Sequence, residues 1–140
     1  MSLVTITIRS NTKQARARLQ DIRARIEHGA GDVVEWAKHR IENSAKDSLL
    51  EGKSGVQYPR LPNRSSAPGE APANQFGGLS AGIVGKMISP LRARVSSGAF
   101  YAGYLEYGTS KMGARPHMEP ALRKTEPEFI SRIISMIQGA

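Results

Sequence analysis

The sequence predicts an α+β fold with two N-terminal helices, a small antiparallel sheet with a β-hairpin, and a C-terminal amphipathic helix packed on one face. Three observations lead to it. Apolar residues recur at helical spacing in the first 50 residues and again near the C-terminal end, two alternating segments flank a Pro-Leu pair, and a proline-rich stretch separates these parts. At 140 residues and 15.2 kDa, the chain has the size of a single domain spanning residues 1–140.

The N-terminal third predicts a short strand followed by two helices. Residues 3–8 alternate β-branched residues in the manner of a strand. From Asn11 the spacing becomes helical, and this helix is predicted to end at Gly29, because glycine readily adopts the left-handed conformation that follows a helix end. A second helix is predicted from Gly31 to about Leu50. Its apolar stripe consists of Val33, Ala37, Ile41 and Ala45.

A long flexible loop rich in Pro, Gly and Ser is predicted at about residues 51–78. Four prolines fall in this stretch, and each removes a backbone donor and restricts the residue before it. Few apolar residues are present to offset the entropy lost on ordering. Loops of this length in a small domain are usually functional or mobile.

The segments 82–89 and 92–97 flank Pro90-Leu91 and predict the β-hairpin. Because side chains alternate along a strand, one face is expected to carry Arg92, Arg94 and Ser96. The other face is expected to carry Ala93 and Val95, so the hairpin should have one basic and one apolar side.

The C-terminal part predicts a short segment and a long helix. Residues 100–107 are expected to be helical or irregular and to end at Gly108. Residues 117–138 carry apolar residues at helical spacing. Thr125 and Glu128 resemble a capping box around Pro127, so the helix is predicted to kink or restart near Thr125.

The composition argues against catalysis and against metal or cofactor binding. The chain has no cysteine, which excludes disulfides, thiolate metal sites and cysteine nucleophiles. Its three histidines, His28, His39 and His117, have no metal-ligand spacing, and no nucleophile or phosphate-binding motif occurs. We therefore expect a protein that is not an enzyme, has no cofactor, does not bind a membrane and works in a reducing compartment.

The formal net charge of +8 favours acidic partners or the nucleic-acid backbone, but the simpler explanation is that it keeps a small protein soluble. An alternative function is therefore sequence-independent nucleic-acid binding, since no recognised sequence-reading motif accompanies the charge. The candidate contacts with DNA or an acidic partner are Arg16, Arg18, Arg23, Arg25, Arg92 and Arg94.

Residues 101–122, YAGYLEYGTSKMGARPHMEPAL, are the most informative segment. Their succession of Tyr-Ala, an aromatic, Glu-aromatic-Gly-Thr, Arg-Pro and Pro-Ala-Leu resembles the signature of a family of small tail-component or neck proteins of long-tailed double-stranded DNA phages, of the Hong Kong 97 type. The order of the predicted elements also agrees loosely over most of the chain. Gly82 stands where the family usually has Ser, and residues 74–76 replace its usual Thr-Gly.

This resemblance implies a structural virion protein of the phage neck or tail end that assists head-tail joining or tail completion as a ring-forming subunit. It implies a location in the virion, and in the bacterial host cytoplasm during assembly. The implied partners are further copies of the chain, head-completion proteins, and tail-end or tail-tube proteins. Non-specific contact with DNA is a further candidate interaction.

The same segment has a physical interpretation without the family. Glu106 is a candidate acceptor for nearby backbone amides or Arg115, and Gly108 permits a sharp exit from the preceding segment. Thr109 to Ala114 then becomes a short exposed excursion, and Thr109 to Arg115 are expected to form a contact surface. An alternative is that Tyr101, Gly108, Pro116 and Pro120 only orient the C-terminal helix. The predicted protein-interaction residues are Tyr101, Tyr104, Glu106, Tyr107, Gly108, Thr109, Ser110, Lys111, Met112, Arg115 and Pro116.

Overall fold

A computed structural model describes residues 11–139, which form helices and one two-stranded sheet. In chain order the elements are α1 (Thr12–Leu50), α2 (Gly78–Gly82), β1 (Ile83–Ser89), β2 (Arg92–Ser97), α3 (Ala102–Tyr107) and α4 (Met118–Gly139). The predicted mixture of helices with an antiparallel hairpin and a C-terminal helix is confirmed. The strand predicted at residues 3–8 lies outside the described residues.

The described N-terminal part forms one helix where two were predicted. α1 continues unbroken through Gly29 and Gly31. A Cβ on Gly29 would lie 2.6 Å from Sδ of Met136 in α4. A Cβ on Gly31 would lie 3.2 Å from the carbonyl oxygen of Pro90 in the hairpin turn. The prediction of a helix end is wrong because these glycines allow two other elements to approach α1, which the local sequence does not reveal.

β1 and β2 pair antiparallel around Pro90-Leu91, as predicted. Along β2 the side chains of Arg92 and Arg94 are exposed, whereas those of Ala93 and Val95 are half-buried. The predicted division into a basic face and an apolar face is therefore confirmed for β2, whereas β1 adds the exposed apolar side chains of Val84 and Ile88.

α1 packs against both the hairpin and α4, and it contacts them through different side chains. In the hairpin, a Cβ on Gly85 of β1 would lie 2.7 Å from Cγ of Lys38, and the Gly85 amide donates a hydrogen bond to Glu42 (3.0 Å). In α4, the guanidinium of Arg132 lies 4.0 Å from the centroid of the Trp36 ring. At 3.6 residues per turn, Lys38 and Trp36 point in nearly opposite directions.

α4 is assigned as one helix across Pro127, so the predicted restart near Thr125 is wrong. The buried Thr125 hydroxyl donates to the carbonyl of Ala121 (2.9 Å), and Glu128 binds Arg132 (2.8 Å), so neither side chain forms the predicted capping box. Pro127 removes one backbone donor, but it is exposed, so water can bind the carbonyl that this donor would have satisfied.

The core is small and mainly aliphatic. It forms where the C-terminal half of α1 meets α2, β1, α3 and the start of α4. Its buried apolar side chains are Ala45, Leu49, Leu79, Ile83, Ala102 and Ala121. By contrast, every residue from Thr12 to Asp21 is exposed, and we call this part of α1 the arm. The stability of the fold therefore depends on the half of α1 that lies away from the arm.

Residues 51–77 contain no helix or strand, as predicted, but they are hydrogen-bonded to one another. The Gly55 amide donates to the Ser65 carbonyl (2.9 Å). The Asn74 amide donates to the carbonyl of Leu49 at the end of α1 (3.1 Å). The flexibility expected for this loop remains a prediction.

Glu70 connects two parts of this loop. Its carboxylate accepts hydrogen bonds from the backbone amide of Ser54 (3.1 Å), from the Ser54 hydroxyl and from the amide of Ala67 (2.8 Å). The Ser54 hydroxyl and these amides lower the pKa of Glu70 from its usual 4.5 to about 2.

We expect this connection to be lost in acid. Because the pKa of Glu70 is lowered on folding, its stabilising effect is complete above about pH 4.5 and disappears as the pH falls toward about 2. The NMR shifts of the Ser54 and Ala67 amides should therefore change with a midpoint near pH 2, and a Glu70→Gln variant should not show this transition. A wild-type midpoint near pH 4.5 would contradict the expectation.

Candidate protein-interaction site

α3 ends at Gly108 in a conformation that favours glycine. Its φ is 77° and its ψ is 178°, and its amide donates to the carbonyl of Tyr104 (2.9 Å). A Cβ at this position would lie 2.8 Å from the backbone nitrogen of Ala114 and 2.9 Å from the carbonyl oxygen of Met112. The sharp exit predicted at Gly108 is therefore present, and it depends on glycine having no side chain.

Residues 109–115, which we call the 109–115 turn, follow directly. The backbones of Thr109 and Met112 exchange two hydrogen bonds, of 2.8 and 3.3 Å, which close a tight turn. Ser110 and Lys111 are exposed at its tip, while Met112 is half-buried. The predicted exposed excursion is thus present at the tip, and the two residues there are accessible to another protein.

The 51–77 loop supports the 109–115 turn from behind. The Gly69 amide donates to the carbonyl of Ala114 (2.8 Å). Nε of Arg115 donates to the carbonyl of the buried Ser66 (3.2 Å), and the Arg115 amide donates to the carbonyl of Leu105 (2.6 Å). Contacts from two directions therefore fix the backbone at the C-terminal end of the turn.

Glu106 joins α3 to the start of α4. Its carboxylate accepts hydrogen bonds from the backbone amides of His117, Met118 and Glu119, at 2.9, 3.1 and 2.8 Å. These amides begin α4, where backbone donors lack partners within the helix. Of the two kinds of partner predicted for Glu106, the structure has the amides, whereas Arg115 binds the loop. With its side chain only 9% exposed, Glu106 supports the site from within.

We call the Glu106 carboxylate and the three amides bound to it the Glu106 cap. The pKa shifts in this cap are consistent with an ionised Glu106 beside a neutral His117. Burial alone would raise the pKa of Glu106, but the three amide donors and His117 lower it below its usual value. Burial lowers the pKa of His117, which is 1% exposed. Its Nδ1 lies 3.1 Å from a carboxylate oxygen of Glu106 but outside hydrogen-bonding geometry. His117 is therefore part of the interior, in accord with a structural role.

An exposed group of aromatic side chains lies beside the turn. Phe100, Tyr104 and Tyr107 are 90%, 59% and 85% exposed and follow one another at spacings of four and three residues. Tyr104 and Tyr107 share one face of α3, and Phe100 lies in the turn that leads into this helix. We call the three residues the aromatic face. Phe100 was not among the predicted interaction residues, although its spacing from the two tyrosines was the signal that could have identified it.

The structure divides the predicted interaction residues into two groups. The exposed ones are Tyr104, Tyr107, Thr109, Ser110 and Lys111. The partly buried ones are Tyr101, Glu106, Gly108, Met112, Arg115 and Pro116. The first group can contact a partner directly, whereas the second mainly determines where the first group lies.

The predicted basic contacts do not form one cluster. They are Arg16, Arg18, Arg23 and Arg25 on α1, and Arg92 and Arg94 on the outer face of the hairpin. Two of the four on α1 already bind carboxylates one turn away, since Arg23 contacts Glu27 (2.8 Å) and Arg25 contacts Asp21. At about 1.5 Å per residue, Arg16 lies about 22 Å along α1 from the position where the hairpin turn meets it.

Within residues 11–139, no group of three or more acidic or histidine side chains is placed to hold a metal ion. The helices of this part of the chain are also too short or too polar to cross a bilayer. Comparisons of the chain with protein families, with curated proteins and with solved structures found no match. What the site can do must therefore follow from its own geometry.

Proposed function

We propose that the protein is a structural virion component of the neck or tail end of a long-tailed phage, where it assists head-tail joining or tail completion as a subunit of a ring. The observation that carries the proposal is an exposed aromatic face beside a turn whose backbone is held from behind. Aromatic residues are enriched in protein interfaces and at their hot spots. The resemblance of residues 101–122 to the neck-protein signature supplies the biological setting.

The surface area of the chain supports self-association. It exposes 10383 Å², whereas a compact monomer of 15.2 kDa exposes about 7,100 Å². The eleven terminal residues outside the described range account for at most about 1,800 Å², the area of an extended chain of their mass. Since a standard interface buries about 800 Å² per partner, the remaining excess of about 1,500 Å² is close to the area of two such interfaces, the number that a ring requires.

In such a ring, the aromatic face and the 109–115 turn would contact a neighbouring subunit or an adjoining head-completion or tail-end protein. A turn that is already ordered loses little conformational entropy when it binds. Modest contacts repeated around a ring add up to a stable assembly. Arg92 and Arg94 on the outer face of the hairpin would face either an acidic neighbour or the DNA that passes through the ring.

We expect the double substitution Phe100→Ala and Tyr107→Ala to weaken association at least about 30-fold, because one hot-spot aromatic contributes about 2 kcal/mol. Both side chains are exposed, so the fold should be unaffected. Native mass spectrometry over a range of concentrations measures the effect. Leu50→Ala, which removes a similarly exposed apolar side chain outside the site, is the control and should associate like the wild type. Equal association of all three proteins would contradict the assignment of the site.

The role in the virion can be tested in a phage that carries the gene. Deleting the gene should leave DNA-filled heads and separate tails in electron micrographs, and complementation with the wild-type gene should restore joined particles. Normal joined particles without the gene would contradict the proposal. DNA binding by the purified protein that remains tight at physiological salt would instead favour the nucleic-acid-binding alternative.

A further inference from the structure

A groove of about 780 Å³ lies between the hairpin and α4, with α1 as its floor. Its apolar lining includes Val34, Ala37 and Ile41 of α1, Ala93 and Val95 of β2, and Leu122 and Phe129 of α4. Leu122 is 53% exposed, so the side chains of this groove are not fully covered by the described residues. Glu106 and Tyr107 of α3 also line it, so four elements surround the groove. A mainly apolar groove of this size is suited to a segment of polypeptide.

The wall formed by β2 is an unpaired strand edge. β1 and β2 form a two-stranded sheet, so β2 pairs on one side only. The Gly98 amide donates to the Gly82 carbonyl (2.8 Å), and in an antiparallel ladder the bonded positions then fall on every second residue. The backbone groups of Ala93 and Val95 therefore point away from β1, on the side of the groove. Within residues 11–139 no element pairs with this edge.

These two features specify the chemistry of the occupant. An added strand would satisfy the outward backbone groups of β2, as in β-strand addition. Because side chains alternate along a strand, one set would lie against the apolar floor and the other would face solvent. The occupant should therefore alternate apolar and polar residues, in the same way as the hairpin itself.

Residues 3–8, which precede the described part of the chain, have this pattern. The set for the groove is Val4, Ile6 and Ile8, and the set for the solvent side is Thr5 and Thr7. All five are β-branched, which favours extended backbone. Their alternation would continue the division seen in β2 between half-buried and exposed side chains.

The segment cannot reach the groove of its own chain. Along α1, Thr12 lies about 33 Å from Val34, the nearest floor residue, at about 1.5 Å per residue. From Thr12 back to Val4 the chain spans at most about 27 Å, even when fully extended. Ile8 is only four residues from Thr12, so it lies at most about 14 Å from it. A segment placed beside β2 must therefore come from another copy of the chain.

We propose that residues 3–8 of one copy bind in the groove of a neighbouring copy as a third strand beside β2. This adds a second contact to the self-association proposed above, and it rests on that proposal. The donor segment and the acceptor groove are different surfaces, so the contact is heterologous and generates a ring when its rotation closes.

Cysteine cross-linking tests the contact directly, because the chain has no cysteine of its own. Thr5→Cys and Thr7→Cys variants are each mixed with an Arg94→Cys variant, since all three positions would lie on the outer face of the extended sheet. Neighbouring strands bring such pairs within disulfide range. We expect linked peptides between residue 5 or 7 and residue 94 from different chains. An Ile6→Cys variant, on the opposite face, should not link to Arg94→Cys.

Two cross-linking results would overturn the proposal. One is the absence of any link to residue 94 under conditions in which the wild-type protein is associated. The other is a link formed within one chain in a protein that carries both Thr7→Cys and Arg94→Cys, which would show pairing in its own groove. Either result would leave the proposed assembly role intact. A wild-type protein that stays monomeric at every concentration would contradict both the assembly role and the strand contact.

A charge placed on the groove side gives a second readout. We expect Ile6→Lys to weaken self-association at least about tenfold, because moving a charged side chain from water onto the apolar floor of the groove costs free energy. Thr5→Lys adds the same charge one residue away on the solvent side and should change association by less than about twofold. Both variants are compared by sedimentation velocity. Equal behaviour of the two would contradict the assigned faces.

Discussion

Replacing Gly108 with alanine is expected to lower the free energy of unfolding by about 4 kcal/mol. A side chain in this backbone conformation costs about 1–3 kcal/mol in strain. Overlap of the new Cβ with backbone atoms of Met112 and Ala114 adds a similar amount. Their movement is limited because Met112 is hydrogen-bonded to Thr109 and Ala114 to Gly69 of the loop. Urea denaturation followed by circular dichroism measures the change.

Gly103→Ala is the matched control for this substitution. Gly103 lies in α3, and no atom lies within 4 Å of the position that its Cβ would occupy. Alanine should therefore stabilise the protein by about 0.5–1 kcal/mol through its higher helix propensity. A Gly108→Ala protein within about 1 kcal/mol of the wild type would show that the turn can move, contrary to the geometry described here.

The second large effect is expected at Glu106. Changing it to alanine leaves three backbone amides at the start of α4 without their acceptor and should reduce the free energy of unfolding by about 3 kcal/mol. Glu106→Gln keeps one acceptor oxygen and should lose about half as much. Chemical denaturation measures the free energy of unfolding of each variant. Faster hydrogen exchange of the amides of residues 117–119 should show that the loss arises at the start of α4.

The Glu106 cap should also depend on pH. The pKa of Glu106 is lowered on folding, so its stabilising effect is present above its usual pKa and is lost as the pH falls below about 4.5. Glu106→Gln should lack this part of the acid sensitivity. Glu128→Gln, which breaks an exposed ion pair with Arg132, is the control and should change stability by less than about 0.5 kcal/mol. Similar losses in the two glutamine variants would contradict a special role for Glu106.

The parts of the fold that the sequence predicted correctly depend on local patterns. The alternation around Pro90 is sufficient to define the hairpin and to assign Arg94 to one face and Val95 to the other. The role of Glu106 as a backbone acceptor was also predictable, because the helix expected after Pro116 begins with amides that need a partner.

The incorrect predictions involve contacts between residues far apart in the sequence. Gly29 resembles a helix end until the position of Met136 is known. Thr125 resembles a cap, but in a continuous helix its hydroxyl binds the carbonyl four residues earlier. The hydrogen bonds of Glu70 could not be predicted from the local sequence, because its main partner, Ser54, lies sixteen residues away across a proline-rich stretch.

The cap formed by Glu106 has a mechanical consequence. A force on the 109–115 turn would reach α4 through the backbone of Pro116 and His117, and the Glu106 carboxylate would link the same first turn of α4 to α3. From there the force would act on the long contact that α4 shares with α1. The Arg115 amide is also hydrogen-bonded to the carbonyl of Leu105 in α3, so the C-terminal end of the turn is held by α3 as well as by the chain that leads into α4. Tension applied at the exposed tip of the turn would therefore be shared by the two longest helices of the described residues.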